Sequence, residues 1–144
     1  MAIGRERYSG QMTVEFVIAF PVALVIALVS VNAVLFFSDC ASFDRLFRSA
    51  VCTYAASPAY EQDVSESCAL VKSSLEDDFS RENLQFEVMS VGAGGGLVTF
   101  NGTLTFQPTL FGGGTLSGAF GVGFPALSHQ EQITVDVYKP GVLI

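Results

Sequence analysis

The chain has 144 residues, 50% hydrophobic and only 15% charged, with fourteen acidic against seven basic residues and a net charge of −7. Beyond residue 37, five basic residues face twelve acidic ones, so most of the chain repels nucleic acid and anionic lipid, which argues against nucleic-acid binding. A long apolar stretch takes up the front of the chain, leaving about a hundred residues for one small domain.

Residues 1–10, MAIGRERYSG, are short and polar and are expected to be disordered. From Phe16 to Phe37 there are 22 residues without a charge. At ~1.5 Å per helical residue that run is roughly 33 Å long, enough to cross a hydrocarbon core of about 30 Å. Arg5 and Arg7 on the short side orient the helix with its N-terminus in the cytoplasm, which places the cysteines in a compartment where a disulfide persists. A secretory h-region is typically about 7–15 residues and ends at a small-residue cleavage site; this run is longer and leads into Ser38, Asp39 and Cys40, which offer none. Glu15 lies one residue before the apolar run. A carboxylate there is either a functional group, because a charge in lipid is costly, or a side chain that snorkels to the headgroups. Pro21 lacks an N–H and is expected to kink the helix. Asn32 either hydrogen-bonds across helices or lies near the outer headgroups.

Two glycines could end a leader. The fifth residue after Gly4 is Ser9; after Gly10 it is Glu15. The run GQMTVEF (residues 10–16), followed by an apolar helix with the early Pro21, resembles the processing site of type IV pilin-like proteins, most closely the TadE-type pseudopilins of tight-adherence (Flp) pili. The resemblance covers residues 10–37. It implies that a membrane aspartyl protease, the prepilin peptidase, cuts between Gly10 and Gln11. It further implies that Glu15, Phe16 and Pro21 belong to an assembly helix, with Glu15 pairing with the new α-ammonium of a neighbouring subunit. Two groups that are costly in lipid would then neutralise each other when the subunits are in register. An N-terminal glutamine can cyclise, which would remove that ammonium.

Residues 38–57 continue the helix beyond the membrane. Phe43, Leu46, Phe47, Ala50, Val51 and Tyr54 recur at helical spacing and predict a core face, with Asp44, Arg45 and Arg48 opposite. Pro58 ends it. A second helix is expected over about 61–79, with Val64, Cys68, Val71, Leu75 and Phe79 as its apolar stripe. Glu76, Asp77 and Asp78 read as a solvated face rather than an acid–base pair. The period then changes to two. Leu84, Phe86 and Val88 predict a strand, and Gly92 to Gly96 a flexible link. Asn101-Gly102 invites a hairpin, but one continuous strand over 97–106 keeps Val98, Phe100, Leu104 and Phe106 on one face. A last strand is expected over 132–139, closed by Pro140. Between them, 107–130 is expected to be a structureless loop with six glycines from 112 to 123. Its Leu110, Phe111, Phe120 and Phe124 form a contact surface, either for a partner or for the domain's own core.

No nucleophile–base or metal-ligand constellation appears, so no enzymatic role, cofactor or metal is expected, and His129 has no cysteine nearby in sequence. Cys40 and Cys52 are too far apart on one helix to bridge. Cys52 and Cys68 flank the 58–60 turn almost symmetrically, so they are either two buried thiols or, as expected here, a disulfide contributing on the order of 3 kcal/mol. Cys40 is left as a free thiol or a link to another chain. The expected fold is α+β: a long N-terminal helix, an antiparallel second helix and a small antiparallel sheet. The expected organisation is a leader over 1–10, a transmembrane helix over 11–37 and an extracytoplasmic domain over 38–144. The resemblance implies a minor pilin or pseudopilin in the cytoplasmic membrane or in a pilus. Its implied partners are other pilin subunits, the prepilin peptidase, the assembly platform and membrane lipid. An uncut single-pass anchor presenting a binding domain, and a type II secretion pseudopilin, are the other readings.

Overall fold

In the computed structural model, which describes residues 7–56, 62–79, 81–110, 113–119 and 121–137, helix α1 (Arg7–Tyr54) runs unbroken for 48 residues, about 72 Å at the helical rise. The other elements gather along its C-terminal half. They are helix α2 (Val64–Asp78), strands β1 (Leu84–Gly94) and β2 (Leu97–Phe106), four short strands β3 (Thr109–Leu110), β4 (Gly113–Thr115), β5 (Gly118–Ala119) and β6 (Val122–Gly123), and β7 (Leu127–Asp136). The fold is α+β. The expected helix stop at Pro58, the start of α2 at Glu61, leader residues 1–6, Phe111, Phe120 and the strand end at 138–140 lie outside the described residues.

The core face predicted for α1 is formed as read: Phe43, Phe47, Ala50 and Val51 are buried, with Leu46 and Tyr54 packed at its edge. From α2 come buried Val71 and Leu75, with Phe79 just beyond its end and Val64 and Cys68 partly buried. The helix begins three residues later than expected because Asp63 takes the N-cap, its carboxylate accepting from the Val64 N–H at 2.7 Å. Asp63 with Glu66 three residues on is the spacing of a capping box. Buried Ser67 is satisfied by Gln62 Nε2 at 2.8 Å and by the Asp63 carbonyl at 3.2 Å.

β1, β2 and β7 form one antiparallel sheet in that order. β2 is the continuous strand that face-matching favoured, alternating buried and partly covered residues from Val98 to Phe106. The glycine run is a tight hairpin rather than a flexible link: Gly95 and Gly96 form the turn at φ of +65° and +86°, the left-handed geometry a two-residue loop needs. Gly102 lies mid-strand on the buried face. A Cβ there would lie 2.7 Å from Phe47 Cε2 and 2.9 Å from Phe43 Cζ, so the strand backbone itself is the surface on which α1 packs. β2 descends α1, from Gly102 beside Phe43, to Phe106 beside Phe36, to Thr109 beyond it, which bonds Asn32.

β7 corrects the expected bounds. It starts at Leu127 and pairs with β2 along its whole length, from Leu127↔Phe106 to Asp136↔Leu97. The alternation of Ile133, Val135 and Val137 was readable, but the front half carries His129 and Glu131 on the same face and so lacks an apolar signal. Those two side chains meet the polar side of α1. His129 Nε2 lies 2.7 Å from Asp44 Oδ1, and Arg48 lies 3.3 Å from Glu131. The rises agree, since four helical residues advance about 6.0 Å and two strand residues about 6.8 Å. Residues 107–130 are likewise not structureless: β3–β4 and β5–β6 are two small hairpins below the sheet.

Candidate membrane and assembly helix

The described side chains in the N-terminal third of α1 are exposed, with Pro21 partly covered. Met12, Val14, Val17, Ile18, Phe20, Val22 and Ile26 are all exposed, and Phe16 is 66% exposed. A helix that is apolar all round belongs in a nonpolar medium, and exposed apolar surface on this scale is foreign to a soluble monomer. By length and composition α1 can cross a membrane.

Gly10, Gln11, Glu15, Phe16 and Pro21 all fall on this third of the helix. Gly10 is helical and exposed, and a Cβ built on it meets nothing within 4 Å. Neither its backbone angles nor its packing requires glycine. Glu15 is exposed, four residues beyond Gln11 and hence on the same helix face. As the helix stands, its first turn carries no acidic residue. A helix starting at Gln11 would bring Glu15 near a positive helix end, where a carboxylate is favoured. Pro21 lies inside the helix, which continues through it. Because proline has no N–H, the Val17 carbonyl loses its usual partner.

Leu28, 2% exposed, is the first buried residue of α1 among those described. One turn on, Asn32 forms a clasp with the strand below the sheet. Its Nδ2 donates to the Leu28 and Thr109 carbonyls, each at 2.9 Å, and its Oδ1 accepts from the Thr109 N–H at 2.8 Å. The sequence offered inter-helix bonding or headgroup contact for Asn32; the structure uses it to tie the domain to the helix. Further on, buried Asp39 is paired with Arg81 in the α2–β1 link, an anchor that sequence patterning did not reveal.

Comparison with protein-family models, curated protein sequences and solved structures gives no match. What the chain has in its own right is a pilin-like architecture, a long apolar N-terminal helix followed by an antiparallel sheet domain.

The bridge expected between Cys52 and Cys68 is not formed in this structure. Both are free thiols. Cys52 is exposed because the stripe through Phe47, Ala50 and Val51 turns it outward, while Cys68 lies partly buried at the core. Cys40 is a buried core residue, its thiol pKa raised by burial and then by the Asp44 and Asp39 carboxylates. In native protein a maleimide should therefore label Cys52 first, Cys68 more slowly and Cys40 last. If Cys52 and Cys68 resist labelling until a reductant is added, the free-thiol arrangement is wrong. Among the described residues no three His, Cys, Asp or Glu side chains gather as a metal site; His129 is taken up by Asp44.

Proposed function

We propose that the chain is a minor pilin or pseudopilin of the TadE-like type, serving a tight-adherence pilus. Its leader, 1–10, is removed by a prepilin peptidase after Gly10. The helix from Gln11 to about residue 37 holds the protein in the cytoplasmic membrane, N-terminus inward, and carries the domain, 38–144, outside. Assembly proceeds through that helix, with Glu15 as the docking charge. The partners are neighbouring pilin subunits, the peptidase, the assembly platform and lipid, and the role is structural rather than catalytic.

The observation that carries this reading is the exposed apolar third of α1, led by a glycine that the fold does not need. In an exposed helix interior Gly→Ala is favourable by about 1 kcal/mol, so the folded chain itself gives no reason for glycine at position 10. A protease that cleaves there does give one, since glycine eases unwinding of the helix around the bond to be cut. Gly10→Ala should leave the domain folded and membrane-bound yet abolish piliation as completely as deletion of the gene. Normal piliation with Gly10→Ala would overturn the proposal.

A further inference from the structure

The part of α1 that the domain leaves uncovered is shorter than the membrane the helix is read as crossing, and the domain's underside makes up the difference. Met12 to Ala27, the part of α1 in which no residue is buried, is sixteen residues, about 24 Å at the helical rise, against a hydrocarbon core of about 30 Å. Counted from Phe16, just past the carboxylate, it is twelve residues and roughly 18 Å. From Leu28 onward the chain's own domain lies against the helix. If Glu15 stays near the cytoplasmic headgroups, the part of the domain beside Leu28 to Asn32 is at acyl-chain depth in the outer leaflet.

That part of the domain is built for such a place. It is the base formed by 107–126, with the two small hairpins. Between Glu87 and Glu131 the chain has no Asp, Glu, Lys or Arg, although the rest of the domain is acidic. Leu110 projects from the base at 50% exposure. Beside it a groove of about 160 Å³, lined by Leu28, Val29, Ala33, Pro108, Phe124 and Leu127, is almost wholly apolar.

Backbone in lipid must satisfy its own polar groups, and the base does much of this internally. Thr109 pairs with Thr115 and Gly118 with Gly123. The Leu116 N–H donates to the Pro108 carbonyl at 2.7 Å, and the Phe124 N–H to the Ser117 carbonyl at 3.0 Å. The Asn32 amide is closed by its three bonds to Leu28 and Thr109. Gly113, Gly114, Gly118, Gly121 and Gly123 keep the hairpins thin, with Gly114 and Gly121 at positive φ.

We propose that the 107–126 base is seated in the outer leaflet of the membrane, with lipid acyl chains covering Leu110 and filling the groove beside Phe124. This rests on the membrane-spanning reading of α1 and is independent of cleavage and assembly.

The chain contains no tryptophan, so single-tryptophan variants report depth without background. Full-length protein carrying Leu110→Trp, Phe124→Trp, Val91→Trp or Phe20→Trp would be placed in phosphatidylcholine vesicles brominated near the top or near the end of the acyl chain. Val91 is exposed on β1, paired with Thr99 near the opposite end of the sheet. Leu110→Trp and Phe124→Trp should be blue-shifted relative to Val91→Trp and quenched by the lipid bromines. Phe20→Trp, about 7.5 Å past Glu15 along the helix, should be quenched as well. If Leu110→Trp and Phe124→Trp match unquenched Val91→Trp while Phe20→Trp is quenched, the seated base is wrong and the span stands. If Phe20→Trp is also unquenched, the membrane-spanning reading fails and this inference falls with it.

Discussion

Gly102→Val should destabilise the domain by about 3 kcal/mol or more, at the upper end of what overpacking a core costs. The first added atom alone would lie 2.7 Å from Phe47 and 2.9 Å from Phe43. Neither ring can swing away cheaply. Phe43 is stacked on Phe47 at 5.5 Å between centroids and on Phe86 at 6.1 Å, and both α1 rings are fully buried. Relief would require α1 to lift off the sheet, opening the main core of the domain. Against a typical total stability of roughly 5–15 kcal/mol, that is a large fraction. Denaturant unfolding of the detergent-solubilised chain, followed by circular dichroism, reads the shift in midpoint. Thr103→Val, one residue on and on the other face of β2, serves as the control and should move it little. Equal midpoints for Gly102→Val and wild type would mean that α1 does not cross the sheet at Gly102.

Glu15→Ala should act in the opposite way, leaving the fold intact and removing assembly. Glu15 is exposed, thirteen residues before the first buried side chain described on α1. Its proposed work is between subunits, opposite the ammonium at a neighbour's Gln11. Between packed helices the neighbour's ammonium would be left buried and unpaired, which costs about 3–5 kcal/mol and converts to a loss of incorporation of about a hundredfold or more. Glu15→Gln, nearly isosteric but neutral, should fail similarly, because the pair depends on charge and not on shape. Both variants should still be cut after Gly10. Piliation counts with either variant at wild-type levels would return Glu15 to the role of a snorkelling side chain.

The parts of the fold that were legible in the sequence are those in which one physical period dominates. Phe43, Phe47, Ala50 and Val51 follow the helical repeat because they face a single apolar partner. Val98, Phe100, Leu104 and Phe106 alternate because one side of β2 is core. Legibility fails where that pattern is broken for a reason of tertiary structure. Gly102 looks like a turn signal beside Asn101, yet it makes room for two phenylalanine rings. His129 and Glu131 hide the front of β7 because they face the charged side of α1, which alternation of apolar residues cannot detect. The glycines of 107–126 read as a loop because hairpins two or three residues long show no period at all. Cys52 shows the opposite error. The same stripe that marks the core turns it outward, which symmetry about the turn does not register. Within the candidate site, Gly10 and Glu15 stood out by position alone, whereas the Asn32 clasp and the Asp39–Arg81 pair depend on residues far apart in sequence.

The reading of α1 as a released and docking helix is tested most directly by the N-terminus of the protein extracted from the membranes of its own cells. Mass measurement of the intact protein should show a chain lacking residues 1–10 and beginning at Gln11, with its ammonium free for Glu15 to pair with. A chain that still begins at Met1 in cells with an active prepilin peptidase would contradict it, and would leave α1 as an uncut anchor.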